Sequence, residues 1–328
     1  MSAPGADISL LSPEMAALLA RVAAEDGPLP DVTTLLPTEG RVQSEKTNRR
    51  WNLDLPPMES AREIWIEPDA TLGSARIRIR LLVPRAKIPG TLLFVHGGGF
   101  AFCSPETHER CARVLAQETG MAVLVPDYRL APEHPYPAGL MDVIACLRKL
   151  QSSPDIFGVE AGPIVIAGDS AGANLALAAI LHEQQQADRP VLAGALLFYG
   201  TFARDFTTPS YRAFAEGPGL TRGKMQRYWQ WYVGDRDVGH DPLACPLTAS
   251  DDALAALPPL HLMAAAVDPL LSDTLILHQR LQSLGRSETV TVTPGVTHGF
   301  LQNTIDLAAA REALSAAAQK AKEMTDRM

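Results

Sequence analysis

Residues 168–172 read Gly168-Asp169-Ser170-Ala171-Gly172 and follow the apolar run 164–167 without a break. A chain can pass from a strand to a helix in so few residues only through a very tight turn. Glycines two positions before and two after the serine are what that turn requires, because side chains there would collide across it. The pattern predicts a strand-turn-helix unit with Ser170 at the apex and Ala171 opening the helix. Taken alone, such a serine is equally an ordinary loop or N-cap residue. Other segments must decide between the two.

A second apolar run, 92–95, ends in His96-Gly97-Gly98-Gly99-Phe100. Three glycines in a row are unfavourable in a strand or helix because each loses more backbone entropy on folding than any other residue. They make sense where bare backbone amides must approach a ligand. In acyl transfer, amides aimed at the former carbonyl oxygen each stabilise the developing charge by roughly 3–4 kcal/mol. We assign Gly97, Gly98 and Gly99 to such an oxyanion hole, with the amide of Ala171 that follows the nucleophile. His96 reads as an anchor of this loop, not as a base.

A serine hydroxyl is a weak nucleophile at neutral pH and needs a neutral imidazole, itself oriented by a carboxylate. The C-terminal third offers both. The buried-looking run 260–267 is followed by Asp268-Pro269-Leu270, and the alternating run 288–293 is followed by Pro294-Gly295-Val296-Thr297 and then His298-Gly299-Phe300. An Asp-Pro after a strand is usually a turn, and a lone histidine usually has no catalytic role. The order Ser170, Asp268, His298 is nevertheless that of the α/β-hydrolase triad, and differs from the orders on the chymotrypsin and subtilisin folds.

With these motifs the chain resembles a bacterial carboxylesterase of the hormone-sensitive-lipase-like family. The resemblance runs from about residue 60 to the C-terminus and includes the further signature Asp127-Tyr128-Arg129-Leu130-Ala131-Pro132-Glu133-His134-Pro135-Tyr136-Pro137-Ala138. In such relatives that stretch is structural, so Arg129, Glu133 and His134 are expected in ion pairs that fix the loop under the site. The chain departs from the family pattern at Ala173, where glycine is common, at Cys103, near a usual glycine, and at Leu271-Ser272-Asp273, where Arg-Asp-Glu is more frequent. Cys103 reads either as a reactive thiol or as a small buried hydrophobe.

The resemblance implies an α/β-hydrolase fold with an eight-stranded, mostly parallel sheet, flanking helices and a helical cap. Strand-like runs at 63–67, 75–83, 92–95, 122–125, 164–167, 192–199, 260–267 and 288–293 fit it, the first two as an antiparallel start. Helical runs are expected at 105–119, 138–151, 171–186, 272–284 and 307–324. The core would comprise 51–200 and 256–328, and the cap 1–50 and 201–255. Leu10, Leu11, Met15, Leu18, Leu19 and Val22 recur at helical spacing within the first cap segment.

The second cap segment holds Phe202, Phe206, Tyr211, Phe214, Tyr228, Trp229, Trp231 and Tyr232, about half of which should face the core. For the substrate pocket we take Phe100, Asp169, Tyr199, Phe214, Trp229, Leu270 and Leu271. Asp169 beside the nucleophile is expected to be structural and not an acid catalyst. The chemistry needs no metal or organic cofactor, and the four cysteines have no CxxC spacing that would suggest zinc.

A net charge of −8 spread along 328 residues argues against nucleic acid or anionic membrane as partners. No run approaches the roughly 18 apolar residues of a membrane span, and the N-terminus lacks a basic start followed by an apolar stretch. These features point to a cytoplasmic enzyme acting on a small-molecule ester, and the resemblance adds a homodimer as one possible assembly. The expected reaction is hydrolysis of short- to medium-chain carboxylic esters through an acyl-enzyme. An amidase, lactonase or carbamate hydrolase would use the same triad. A non-catalytic small-molecule receptor or a scaffold protein would need neither the base nor the three glycines.

Overall fold

The computed structural model describes residues 8–187 and 189–328. Two helices come first, α1 (Pro13–Asp26) and α2 (Pro37–Asn48), then β1 (Ser60–Ile66), β2 (Ile77–Val83) and β3 (Thr91–Val95). Helices and strands then alternate: α3 (Glu109–Thr119), β4 (Ala122–Pro126), α4 (Ala138–Ser152), β5 (Ile164–Asp169), α5 (Ala171–Glu183) and β6 (Leu192–Phe198). A helical insertion follows, with α6 (Pro209–Ala213), α7 (Arg222–Val233) and α8 (Asp251–Ala255), before β7 (Leu260–Val267), α9 (Leu271–Ser283), β8 (Val290–Thr297) and α10 (Ala308–Thr325).

The strands form one eight-stranded sheet in the order β1-β2-β4-β3-β5-β6-β7-β8. β2 pairs antiparallel with both β1 and β4, and every other pairing is parallel. The chain has the α/β-hydrolase fold.

The central strands are apolar throughout because both faces of the sheet are covered. Successive side chains point to opposite faces. Leu93, Val95, Ile166 and Leu197 pack on one side with residues of α4, α5 and α9, such as Ile144, Leu177 and Leu277. Leu92, Phe94, Val165 and Leu196 pack on the other with residues of α3 and α10, such as Leu115 and Leu314.

Several boundaries differ from the sequence expectation by two or more residues, among them the start of β1 at Ser60 and the end of α5 at Glu183, and three places show a physical reason. The third helical segment starts at Glu109 and not at 105, because 104–107 form a turn in which the Ser104 and Thr107 hydroxyls each accept the other residue's backbone amide. Leu10 lies in a short 3-10 turn, 51% exposed, and α1 begins beyond it where the Ser12 hydroxyl caps the Met15 amide at 3.2 Å. β8 runs on through Pro294 and Gly295 to Thr297, past the expected end at 293. β8 pairs only with β7 and their register shifts between Ala265 and Val267, so a proline without an N–H interrupts no second ladder.

Candidate active site

Ser170 sits where β5 gives way to α5, with φ 55° and ψ −121°. A positive φ is uncommon for a residue with a side chain and is held only by tight surroundings. The surroundings are tight here. A Cβ on Gly168 would lie 2.4 Å from the Gly172 carbonyl oxygen, and one on Gly172 would lie 2.0 Å from the Val95 oxygen on β3. The serine amide donates to the Phe198 carbonyl at 2.9 Å, which fixes the turn to β6.

The Ser170 hydroxyl is 2.8 Å from His298 Nε2, and His298 Nδ1 is 2.7 Å from Asp268 Oδ2. The carboxylate can only accept, so Nδ1 carries the proton and Nε2 is left free to accept from the serine. Asp268 is fully buried, and its other oxygen accepts the Leu270 amide at 2.9 Å. All three residues lie at or just beyond the C-terminal ends of β5, β7 and β8, where open α/β sheets place their ligands. An activated hydroxyl, a base and an orienting acid in line can attack an acyl carbon and return the proton to the leaving group.

The glycine loop closes over this line. The Gly97 amide donates to Asp169 Oδ1 at 2.8 Å, so it is already engaged and is not free for an oxyanion. That removes Gly97 from the expected donor set. The amides of Gly98, Gly99 and Ala171 have no acceptor among the described residues. Ala171 also opens α5, whose N-terminal end favours negative charge. A Cβ on Gly98 would meet the Phe102 carbonyl oxygen at 2.2 Å, and one on Gly99 the Tyr228 ring at 2.4 Å.

Asp169 is the clamp of the loop. Besides Gly97, its carboxylate meets His108 Nε2 at 3.4 Å and accepts from the Tyr199 hydroxyl at 3.5 Å. Burial pushes its pKa up, but the His108 side chain and the Gly97 amide outweigh that and hold it below the ordinary carboxylate value. His96 is fully buried beneath the loop, its Nδ1 2.8 Å from the Gly97 oxygen and its ring stacked 4.4 Å from Tyr128. Burial, then the nearby His108, lowers its pKa to about 3, so it is a neutral packing group at working pH.

A cleft of about 310 Å³ opens onto Ser170 and His298. Its apolar wall comes from Met15, Leu18, Leu19 and Val22 of α1, Trp51, Leu220, and Met225 and Tyr228 of α7. Of the expected pocket residues only Asp169 lines it. The Phe100 ring stacks on Tyr232 at 3.7 Å and meets Trp229 edge-on at 5.5 Å, so both Phe100 and Trp229 hold the glycine loop from the core side. Trp229 also donates its indole N–H to the Thr201 hydroxyl at 3.2 Å. Tyr199 is buried behind the imidazole, edge-on to it at 4.9 Å. Leu270 is buried, while Leu271 and Phe214 are half-buried away from the cleft.

In each case aromatic or aliphatic character was visible, but the partner that takes it up was not. The α1 stripe is the converse: its spacing was legible, yet not that it walls the cleft.

The signature segment carries ion pairs. Arg129 makes two 2.8 Å bonds to the buried Asp142 carboxylate, and Arg41 of α2 grips Glu133 while donating to the Ala101 and Ala131 carbonyls at 2.8 Å each. His134 is exposed. Cys103 lies on the cleft wall, but burial pushes its thiol up to about 12, which leaves it protonated and unreactive.

Fold and site together define a serine hydrolase. Residues 92–302 match a protein family described by the alpha/beta hydrolase fold. An ester hydrolase from the metagenome of Lake Arreo, solved with a bipyridine phosphonate derivative, is 32% identical with a TM-score of 0.87 over 95% of this chain and 98% of its own. A thermostable esterase from Pseudomonas putida is 26% identical with a TM-score of 0.88 over 99% of each chain. An esterase from Pyrobaculum calidifontis is 29% identical with a TM-score of 0.85 over 96% of this chain and 99% of its own. The chain belongs to the alpha/beta hydrolase family.

Proposed function

We propose that the protein is a serine carboxylesterase for short- to medium-chain esters, with Ser170 as nucleophile, His298 as general base and acid, and Asp268 as the residue that orients the imidazole. The observation that carries this reading is the unbroken line from hydroxyl to imidazole to buried carboxylate, at 2.8 and 2.7 Å. Ser170 Oγ adds to the ester carbonyl as its proton passes to His298 Nε2. The oxyanion is taken by the amides of Gly98, Gly99 and Ala171, and His298 then protonates the departing alcohol. Water repeats the cycle on the acyl-enzyme.

The chain-length preference is supported by the cleft volume, about 310 Å³, at the low end of small-molecule sites. Residues 8–50 and 201–255 act as the cap, since α1 and α7 supply most of the apolar wall, and residues 1–7 of the expected first cap segment lie outside the described residues. All four cysteines are free thiols, which suits a reducing cytoplasm. No helix among the described residues is long and apolar enough to cross a membrane. The test is hydrolysis of p-nitrophenyl butanoate against p-nitrophenyl palmitate in matched soluble conditions. Butanoate should be the faster, and the reverse order would overturn the chain-length reading. An amide of the same acid, tested in parallel, should be cleaved far more slowly than the ester.

A further inference from the structure

Just past the end of β6, the backbone of Tyr199 is held at φ 38°, a conformation uncommon for a residue with a side chain. Such strain persists only where the surroundings fix it, and it gathers at functional sites. Here the Tyr199 amide donates to the Met263 oxygen of β7 at 2.6 Å, and the ring is fully buried. That ring meets the His298 imidazole edge-on at 4.9 Å and Phe300 at 5.8 Å, while its hydroxyl reaches Asp169, the clamp of the glycine loop, at 3.5 Å. Burial, reinforced by the Asp169 charge, raises the tyrosine pKa well above its ordinary value, so the hydroxyl keeps its proton and takes no part in proton transfer.

We propose that Tyr199 is the positioning residue of the general base: its ring sets the tilt of the His298 imidazole, so that Nε2 serves first Ser170 and then the leaving alcohol. This rests on the carboxylesterase reading and deepens it. In the resting enzyme the imidazole is held at both nitrogens, by Asp268 at Nδ1 and by Ser170 at Nε2. On attack the serine gives up its proton and bonds to the acyl carbon, and Asp268 is left as a single pivot about which the ring can turn. One side of the imidazole faces the open cleft, and no aromatic ring other than Tyr199 meets it among the described residues. Tyr199 does not line the cleft, so it acts on the substrate only through His298. Its contact with Asp169 is at the long limit of a hydrogen bond, which places the effect in the ring and not in the hydroxyl.

The leaving group of p-nitrophenyl butanoate departs as an anion and needs no proton, whereas that of ethyl butanoate departs only as His298 protonates it. The test is therefore the ratio of kcat/KM for ethyl butanoate to that for p-nitrophenyl butanoate in wild type, Tyr199→Leu and Tyr199→Phe. All three carry an unbranched β-carbon, so the backbone at φ 38° is equally strained in each. In Tyr199→Leu the ratio should fall about tenfold or more, since general acid catalysis supplies roughly a hundred- to ten-thousandfold and a misplaced group loses part of it. Tyr199→Phe, which keeps the ring, should stay within about twofold of wild type. A merely structural role lowers the number of active molecules and moves both esters by the same factor, leaving the ratio unchanged. A Tyr199→Leu ratio within about twofold of wild type, or a Tyr199→Phe ratio as low as that of Tyr199→Leu, would overturn the positioning role. Should Tyr199→Leu fail to fold, a crystal structure of the wild-type protein with a phosphonate bonded to Ser170 decides. The imidazole should keep its edge-on contact with Tyr199 there, and a ring turned away from it would overturn the proposal. A wild-type protein that hydrolyses neither ester would instead count against the carboxylesterase reading.

Discussion

Replacing Gly99 with alanine tests the glycine loop most sharply. The residue has φ +59°, where an alanine costs about 1–2 kcal/mol. The new methyl would lie 2.4 Å from the Tyr228 ring, against the roughly 3.5 Å at which carbons rest in contact. Something must therefore yield by about 1 Å. Tyr228 belongs to α7, which is packed through Trp229 and Tyr232 against Phe100 of the same loop. The ring cannot retreat without disturbing that stack, so the loop backbone moves and takes the Gly98 and Gly99 amides off target. A misplacement near 1 Å can cost about a hundredfold in rate, and losing one oxyanion donor costs about a hundred- to a thousandfold. Gly99→Ala should lower kcat on p-nitrophenyl butanoate by about a hundredfold with a smaller change in KM. Adding Tyr228→Ala should recover part of the loss by giving the methyl room, but not the part due to φ. A Gly99→Ala enzyme with wild-type kcat would refute both the donor role and the packing argument.

Three further outcomes follow from the same geometry. Asp169→Ala strands the Gly97 amide and His108 in a buried space. It should cost about 3–5 kcal/mol of stability by chemical denaturation as well as most of the activity, whereas Asp169→Asn, which keeps an acceptor, should cost less; equal effects from the two would contradict the clamp. His96, whose pKa falls from 6.5 to about 3 on folding, is protonated in the unfolded chain but not in the native one between those values. Stability is therefore lost as pH falls from 6.5 toward 3, and His96→Phe should flatten that part of the stability–pH curve, with superimposable curves telling against it. Trp229→Phe, which keeps an aromatic ring but removes the bond to Thr201 and leaves a small cavity, should lower stability by about 1–3 kcal/mol in a denaturant titration and leave the p-nitrophenyl butanoate rate near wild type, since the indole is not part of the cleft.

Much of the site was legible because its residues face local constraints that leave a mark in sequence. Gly168 and Gly172 are dictated by backbone atoms a few residues away or on the adjacent strand, Asp268 follows an apolar run that reads as a strand covered on both faces, and His298 follows an alternating run that reads as a strand exposed on one. The cleft wall was not legible in the same way. The spacing of Met15, Leu18, Leu19 and Val22 says helix and says apolar face, but nothing in it says which surface that face covers. Conversely, Phe100 and Trp229 looked like pocket aromatics, and only their mutual packing shows them spent on supporting the loop. Gly97 belonged to a run of three equivalent-looking glycines until the Asp169 carboxylate was seen to engage its amide. Side chains whose partner lies far along the chain are decided by tertiary contacts, which a periodicity cannot encode.

The central claim, that Ser170 is the attacking atom of a three-residue line, is tested most directly by treating the protein with a fluorophosphonate and mapping the modified peptide by mass spectrometry. The account predicts a single adduct on Ser170, loss of esterase activity in proportion to labelling, and, in Ser170→Ala, no adduct with turnover lower by about a millionfold. An adduct on another residue, or a Ser170→Ala protein that still hydrolyses p-nitrophenyl butanoate at an appreciable rate, would contradict it.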